Sequence, residues 1–269
     1  MIFDGRAFAK EIEEQVKLQV AELAKKPKIV SILIGNDPAS ELYTRLKKNA
    51  AERVGITFHV VRLPAGCLKQ EISDTVLRNA KDESVTGIMI QLPIPGLTDP
   101  ETNVILSEIP VNKDVDGLIW EQSGVQPATV RAVLSILNSI GKDLKQLRVV
   151  VLGAGGAVGR PLVTYLRARG VMVQEVGRQT VDPEKIVREG DIVISSVGKA
   201  GLVVGEMVRV GVVAVDVGMS EVAGKVVGDM TQEVYQKASI AVPVPGGVGP
   251  VTVVCLLQNA VDLSTASPV

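Results

Sequence analysis

Apolar residues in the first third of the chain alternate between helix-like and strand-like spacing. A stripe at helical spacing stops before Pro27, and its members are Phe8, Ile12, Val16, Val20 and Leu23. Residues 28–35 then form the apolar run of a buried strand. The pattern continues with a helix over about 40–54, a strand over 57–63, a helix near 69–81 and a strand over 87–95. This alternation predicts right-handed βαβ units and a parallel sheet.

A second alternating series begins at residue 148, after a helix predicted over 129–140. A strand over 148–153 leads into a glycine-rich turn, a helix to about residue 169 and a strand over 171–178. We therefore predict an α/β protein of two domains, each a mostly parallel sheet flanked by helices, the second Rossmann-type. The predicted domains are residues 1–120, with a C-terminal helix at 250–269 packing back onto them, and residues 121–249.

Composition excludes several classes of protein. The 269 residues carry 29 basic and 30 acidic side chains, so we expect neither nucleic acid nor a membrane as partner. The charged N-terminal segment is unlike a signal peptide, and Cys67 and Cys255 are isolated, so we expect reduced thiols in a cytoplasmic protein. The single histidine, His59, lies in a predicted strand. We therefore expect no metal site, and acid–base chemistry falls to Lys, Tyr, Asp or Glu.

Two glycine-rich segments indicate a ligand site. Gly153, Gly155, Gly156 and Gly159 stand where a strand turns into a helix, so backbone N–H groups there can approach a pyrophosphate. Prolines and glycines alternate in PVPGGVGPVT (243–252), which predicts a rigid loop that presses against a flat ligand and delivers a helix N-terminus. An ordinary surface turn would need fewer such residues.

The strand after the glycine turn bears on the choice of cofactor. It ends in Gly177-Arg178, where a site for NAD usually has an acidic residue. Arg178 can pair with a 2′-phosphate, so its charge favours NADP, with NAD as the alternative if Arg178 is a solvated loop cation.

Polar side chains of the first domain form a candidate reaction site. Tyr43 and Lys47 share one helix face, and we expect a neighbouring stripe of Leu42, Leu46 and Ala50 to pack on the sheet. This spacing alone is common, and a half-buried tyrosine beside a solvated lysine is the ordinary alternative. Gln91 closes a buried strand, where an amide needs a partner or a ligand. Asp116 lies in a tight DVDG loop and is either a turn former or a ligand contact.

Taken together, these motifs resemble those of bifunctional methylenetetrahydrofolate dehydrogenase/methenyltetrahydrofolate cyclohydrolase. The matching stretches run almost from end to end: FDGRAFAKEI (3–12), DPASELYTRLK (37–47), GIMIQLPIP (87–95), KDVDG (113–117), VVVLGAGGAVGRP (149–161), VVAVDVGM (212–219), VVGDM (226–230) and PVPGGVGPVT (243–252). The resemblance implies oxidation of methylenetetrahydrofolate with NADP and hydrolysis of the methenyl product, with folate in a cleft between the domains. It also implies a homodimer formed through the dinucleotide domain.

The resemblance further implies a role for each matching residue. Lys47 would assist attack of water on the methenyl carbon, Gln91 would contact and tune Lys47, and Tyr43 would stack near the folate. Asp116 would hold the pterin end of the substrate. The remaining substrate contacts would be Leu92, Pro93, Pro245, Gly246, Gly247 and Gly249. The cofactor contacts would be Gly153, Ala154, Gly155, Gly156, Arg178, Met219 and Thr252.

This chain departs from the family pattern mainly on the cofactor side. It has PATVRA (127–132) for PCTPxG, GAG (153–155) for GRS, GRQT (177–180) for HSxT, and Val251 for Met. Two alternatives stay open: a monofunctional dehydrogenase with weak or no hydrolysis, and a non-catalytic dinucleotide-binding sensor. The sensor predicts decay of the set formed by Tyr43, Lys47 and Gln91, which is intact.

Overall fold

A computed structural model of the chain describes residues 1–266, and its contacts divide the chain into two compact units. One, here called the lysine unit, comprises residues 10–128 and the chain from Val253 onward. The other, here called the glycine-loop unit, comprises residues 1–9 and 129–252.

The lysine unit contains a three-stranded parallel sheet in the order β2-β1-β3. Its strands are β1 (Lys28–Ile34), β2 (Thr57–Leu63) and β3 (Gly87–Ile90). Its helices are most of α1 (Gly5–Glu22), α2 (Pro38–Val54), α3 (Lys69–Ala80), α4 (Asp99–Leu106) and α5 (Trp120–Ser123), and the later part of α10 (Val248–Thr265). Because all three strands are parallel, their carboxyl ends share one edge, where ligands of such sheets collect.

Helix α10 is part of the core of the lysine unit. Leu256, Leu257 and Ala260 are fully buried and pack in one cluster with Val16 and Val20 of α1. Among the described residues, α10 alone is long and apolar enough to cross a membrane by length and composition. More than half of it (56%) is buried inside the protein, and a core helix passes the same test, so this is weak evidence for a membrane span.

The glycine-loop unit contains a five-stranded parallel sheet in the order β10-β7-β6-β4-β5. Its strands are β4 (Val149–Leu152), β5 (Val173–Val176), β6 (Ile192–Ser195), β7 (Val213–Asp216) and β10 (Ile240–Val242), beside an antiparallel hairpin of β8 (Ser220–Val222) and β9 (Lys225–Val227). Its helices are α6 (Ala128–Ser139), α7 (Gly159–Ala168), α8 (Pro183–Glu189) and α9 (Gln232–Lys237). This fold confirms the predicted class.

The chain start covers one edge of this sheet. Phe3 N–H donates to the Ala241 carbonyl at 2.8 Å, and Ala241 N–H donates to the Met1 carbonyl at 2.9 Å. Residues 1–3 therefore extend the sheet beyond β10, while β5 forms the opposite edge.

Two strands are shorter than predicted. The strand predicted over 87–95 ends at Ile90, because Pro93 and Pro95 have no N–H groups to donate to a ladder. The strand predicted over 171–178 runs only from Val173 to Val176. There Gly177 N–H leaves the sheet and donates to Thr180 Oγ1 at 2.9 Å.

The backbone of Gly5 lies so close to Gly247 that there is no room for a side chain at this position. A Cβ atom on Gly5 would lie 1.9 Å from the Gly247 carbonyl oxygen. We expect Gly5→Ala to lower the free energy of unfolding by about 1–3 kcal/mol, the usual cost of overpacking. Gly249→Ala is the control, since a Cβ there meets nothing within 4 Å. Urea unfolding of both variants tests this, and equal stabilities would contradict it.

Candidate active site

Helix α2 places Lys47 on its buried face. The buried residues of this helix are Ser40, Thr44, Lys47, Ala50, Ala51 and Val54. The expectation that Leu42 and Leu46 pack on the sheet is wrong, because these side chains are 39% and 44% exposed. Small residues such as Ala51 let α2 approach β1 and β2 closely, and the same turn of the helix carries Lys47 inward.

Lys47 meets two polar side chains from separate segments. Its Nζ donates to Gln91 Oε1 at 3.1 Å and lies 4.0 Å from Asp116 Oδ2. Gln91 directly follows β3, and its Nε2 donates to the Leu92 carbonyl at 3.0 Å, which fixes the amide orientation. The structure therefore brings together three of the predicted residues, and the amide of Gln91 has the partner that its position required.

Burial lowers the pKa of Lys47, and the negative charge of Asp116 opposes that shift. A neighbouring cation would lower this pKa as well. Lys48 instead points outward and pairs with Glu52 at 3.8 Å, and Arg45 is exposed. Desolvation of the amine is therefore the physical cause that favours its neutral form.

The DVDG loop is held by residues that the sequence interpretation did not assign. Asp114 is fully buried and accepts from Leu118 N–H, Ile119 N–H and Ser123 Oγ at 2.8–3.0 Å. Asn259 of α10 donates to the carbonyls of Val115 and Gln126, each at 3.0 Å. These bonds fix the loop on both sides of Asp116. A buried asparagine in an apolar helix was the available signal for Asn259.

Tyr43 and the residues after Gln91 complete the candidate set of the lysine unit. Tyr43 lies one turn before Lys47, is half-buried, and has its pKa raised by that burial. Leu92 and Pro93, joined by a cis peptide bond, follow at the carboxyl end of β3. Within residues 1–266, no group of three His, Cys, Asp or Glu side chains is arranged to hold a metal ion.

The glycine turn of the other unit is shaped for close approach of a ligand to its backbone. Gly153 has φ +77°, and a Cβ on it would lie 2.7 Å from the Ser196 carbonyl oxygen. A Cβ on Gly159 would lie 2.1 Å from the Gly153 carbonyl oxygen, so α7 begins directly against the turn. Gly155 is exposed and has open space around it. These features fit a pyrophosphate at the N-terminus of α7.

The other predicted cofactor residues lie at the same sheet edge. Arg178 is exposed in the turn after β5, and Met219 is 45% exposed after β7. The predicted loop over 243–252 is shorter in the structure, because α10 already begins at Val248 and Pro250 fits its first turn, where no N–H donor is needed. The loop segment 243–247 follows β10. It carries Pro245, Gly246 and Gly247, and the first turns of α10 carry Gly249 and Thr252, whose Oγ1 donates to the Val248 carbonyl at 3.2 Å.

Such a parallel sheet, with a glycine turn at a helix N-terminus, defines the class of α/β dinucleotide-binding enzymes. The chain belongs within it to the tetrahydrofolate dehydrogenase/cyclohydrolase family. Residues 3–116 match the family's catalytic domain, and residues 127–267 match its NAD(P)-binding domain. This confirms the resemblance drawn from the motifs.

Individual relatives agree with the family match over nearly the whole chain. The bifunctional protein FolD of Aquifex aeolicus is 40% identical, with 96% of this chain and 93% of the relative covered. FolD of Lactobacillus gasseri is 37% identical, with 98% and 97% covered.

Solved structures show the same fold. The methylenetetrahydrofolate dehydrogenase-cyclohydrolase of Trypanosoma brucei, complexed with NADP and an inhibitor, has a TM-score of 0.91 at 34% identity, with 98% and 97% of the two chains covered. The bifunctional enzyme of Thermoplasma acidophilum has a TM-score of 0.90 at 31% identity, with 98% of each chain covered.

Proposed function

We propose that this chain oxidises methylenetetrahydrofolate to methenyltetrahydrofolate with NADP and then hydrolyses the product to formyltetrahydrofolate. The observation that carries the proposal is the buried Lys47 amine, hydrogen-bonded to Gln91 in a chain that matches both domains of the family. A dinucleotide-binding sensor would have no use for a desolvated amine.

The oxidation needs positioning more than proton transfer. Bound NADP supplies the acceptor for a hydride, which leaves the methylene carbon with its bonding electron pair. The cation that remains is stabilised by the two flanking nitrogens of the folate, so no side chain has to take up a proton. The backbone of Gly153, Ala154, Gly155 and Gly156 is assigned to hold the pyrophosphate of NADP. Met219 and Thr252 stay predicted cofactor contacts.

The hydrolysis requires a base. Water adds to the methenyl carbon, and the neutral Lys47 amine accepts the proton that this water loses. As the new hydroxyl group becomes the formyl C=O, the bond from this carbon to one of its two nitrogens breaks and that nitrogen takes up the hydroxyl proton. Lys47 then releases its proton to solvent. Gln91 Oε1 accepts one N–H of Lys47, which orients the nitrogen lone pair. Asp116 is assigned to the pterin and Tyr43 to stacking on the folate. Leu92, Pro93, Pro245, Gly246, Gly247 and Gly249 stay predicted substrate contacts.

The lysine assignment is tested on methenyltetrahydrofolate supplied directly, without NADP. We expect Lys47→Met to lower the hydrolysis rate by at least about 100-fold, because general-base catalysis typically contributes 10²–10⁴-fold. Lys48→Met removes an exposed lysine of the same helix and should stay within about twofold of the parent protein. Unchanged hydrolysis in Lys47→Met would contradict the assignment. Oxidation without hydrolysis in the parent protein would instead indicate a monofunctional dehydrogenase.

The pH dependence of hydrolysis gives a second readout of the same assignment. Lys47 acts in its neutral form, so the rate falls as the pH drops through its pKa and is constant above it. Burial lowers that pKa, which moves the falling limb below the range of an ordinary lysine. Asp116 opposes the shift, so Asp116→Asn should move the limb of kcat to still lower pH. A shift to higher pH would contradict this account.

Arg178 is assigned to the 2′-phosphate of NADP because it is exposed where the adenosine ribose of a dinucleotide lies. Arg178→Gln should weaken NADP binding by about 10- to 100-fold, as expected for a lost hydrogen bond to a charged group, and leave NAD binding unchanged. Lys142→Gln is the control, because it also removes one exposed positive charge but lies before the amino end of β4. Titration calorimetry with both dinucleotides measures the effect, and equal losses for NADP and NAD would contradict the assignment.

The protein is further assigned as a cytoplasmic homodimer that pairs through β5. Residues 1–3 cover the β10 edge of the sheet, whereas β5 is the other edge. The carbonyls of Met172 and Val176 accept from β4, so the N–H of Glu175 points outward. Thiols rather than a disulfide at Cys67 and Cys255 agree with a reducing compartment.

Sedimentation velocity tests the dimer. The parent protein should sediment at twice its chain mass of 28.5 kDa. Glu175→Pro removes an outward N–H group and the exposed ion pair of Glu175 with Arg167 at 2.6 Å. Exposed ion pairs contribute little to stability, so the variant should give a folded monomer. Exchange of the exposed Lys142 for Gln should leave the dimer intact. A monomeric parent protein would contradict the assignment.

A further inference from the structure

Two fully buried aspartates in the glycine-loop unit have no role in the proposed chemistry. Asp216 is the last residue of β7, and Asp229 lies between β9 and α9. Charged side chains are rarely buried completely unless their partners satisfy them, and an apolar replacement of such groups often preserves stability. Stability alone therefore does not explain why two aspartates lie at the carboxyl edge of the sheet.

Asp229 holds the turn that follows β6. Its Oδ2 accepts from Ser195 Oγ at 2.7 Å and from Val197 N–H at 2.8 Å. The same oxygen accepts from Gly198 N–H at 3.3 Å, and Oδ1 accepts from Lys199 N–H at 2.7 Å. One carboxylate thus accepts from four donors within residues 195–199.

Asp216 connects that carboxylate to two other segments. It accepts from the N–H groups of Asp229 and Met230 at 3.0 and 2.9 Å, and from the hydroxyl of Tyr235 at 2.7 Å. The Tyr235 oxygen in turn accepts from Val244 N–H at 3.4 Å, in the segment before Gly246. Burial raises the pKa of Tyr235, which keeps its hydroxyl protonated and able to donate.

Two glycines make room for these carboxylates. A Cβ on Gly218 would lie 2.0 Å from Asp229 Oδ2, and a Cβ on Gly228 would lie 2.0 Å from Asp216 Oδ2. The motifs DVGM and VVGD therefore supply both the acids and the space beside them. The backbone just before Met219 is held against Asp229 as a result.

We propose that Asp216, Asp229 and Tyr235 form a positioning network that sets the loops bordering the nicotinamide end of the dinucleotide site. The proposal rests on the proposed function. In the sheet order, the pyrophosphate turn follows β4 and the adenosine side lies at β5, so the other end of the dinucleotide extends over β6, β7 and β10. The network joins the loops after these three strands, at 195–199, 217–219 and 243–247.

Tyr235→Phe tests the network with the least disturbance, since the ring remains and only the hydroxyl is lost. We expect kcat for oxidation to fall about 10- to 100-fold, because small misplacements of reacting groups cost up to about 10²-fold. Hydrolysis of methenyltetrahydrofolate supplied at saturation uses Lys47 of the lysine unit, so its kcat should stay within about twofold, while weaker folate contacts at 245–247 raise only its KM. Tyr165→Phe, in the same unit but outside the network, is the matched control.

Ser195→Ala removes one donor at the far end of the network and should reproduce the selective loss. Ser195→Ala also tests the proposal if Tyr235→Phe unfolds below the assay temperature. If Tyr235→Phe oxidises the substrate as fast as the Tyr165→Phe control, the proposal is overturned. Equal loss of both activities with a lower melting temperature would also overturn it, in favour of a structural role. A parent protein without oxidation would instead contradict the proposed function.

Discussion

Desolvation of the Lys47 amine is the constraint on which the candidate site of the lysine unit depends. Burial removes water from the Lys47 ammonium group. Its hydrogen bond to Gln91 and the Asp116 carboxylate at 4.0 Å do not fully replace that hydration. The protein therefore favours the neutral amine, which is the form that can accept a proton. For this balance to hold, the end of β3 and the DVDG loop must each keep their place. Asp114 and Asn259 are consequently as necessary to the site as the residues that touch Lys47.

The glycine-loop unit is assigned to bind the dinucleotide, a task that needs no base. A hydride acceptor has to be held at the right distance, and nothing has to be protonated there. We assign this role to backbone N–H groups, and Asp229 acts in turn on the backbone of residues 197–199. Side chains at the glycine turn can then vary more freely than the backbone path. This fits the presence of GAG (153–155) where the family pattern that the chain resembles has GRS, with Arg178 in a neighbouring turn.

The departures from the family pattern lie at both buried and exposed positions. The side chains of Gln91 and Asp116, which contact the Lys47 amine, are intact. Gly155 and Arg178 are exposed, whereas Ala128, Val130 and Val251 are buried. In the proposed function, hydride transfer and hydrolysis place separate demands on the two units.

The sequence by itself determined the two-domain α/β class and the parallel strands, and it predicted the residues of the candidate site. It did so because periodicity and turn chemistry are local properties, and because the YxxxK, QLPxP, DVDG and PGGVGP motifs occur together in one order. It failed for Leu42 and Leu46, since hydrophobicity does not show which face of α2 lies against β1 and β2. Only the tertiary structure decided that Lys47 is buried, that Asn259 holds a loop more than 140 residues away, and that Asp216 meets Tyr235. Burial and long-range hydrogen bonds depend on which segments the fold brings together, and no local pattern records that.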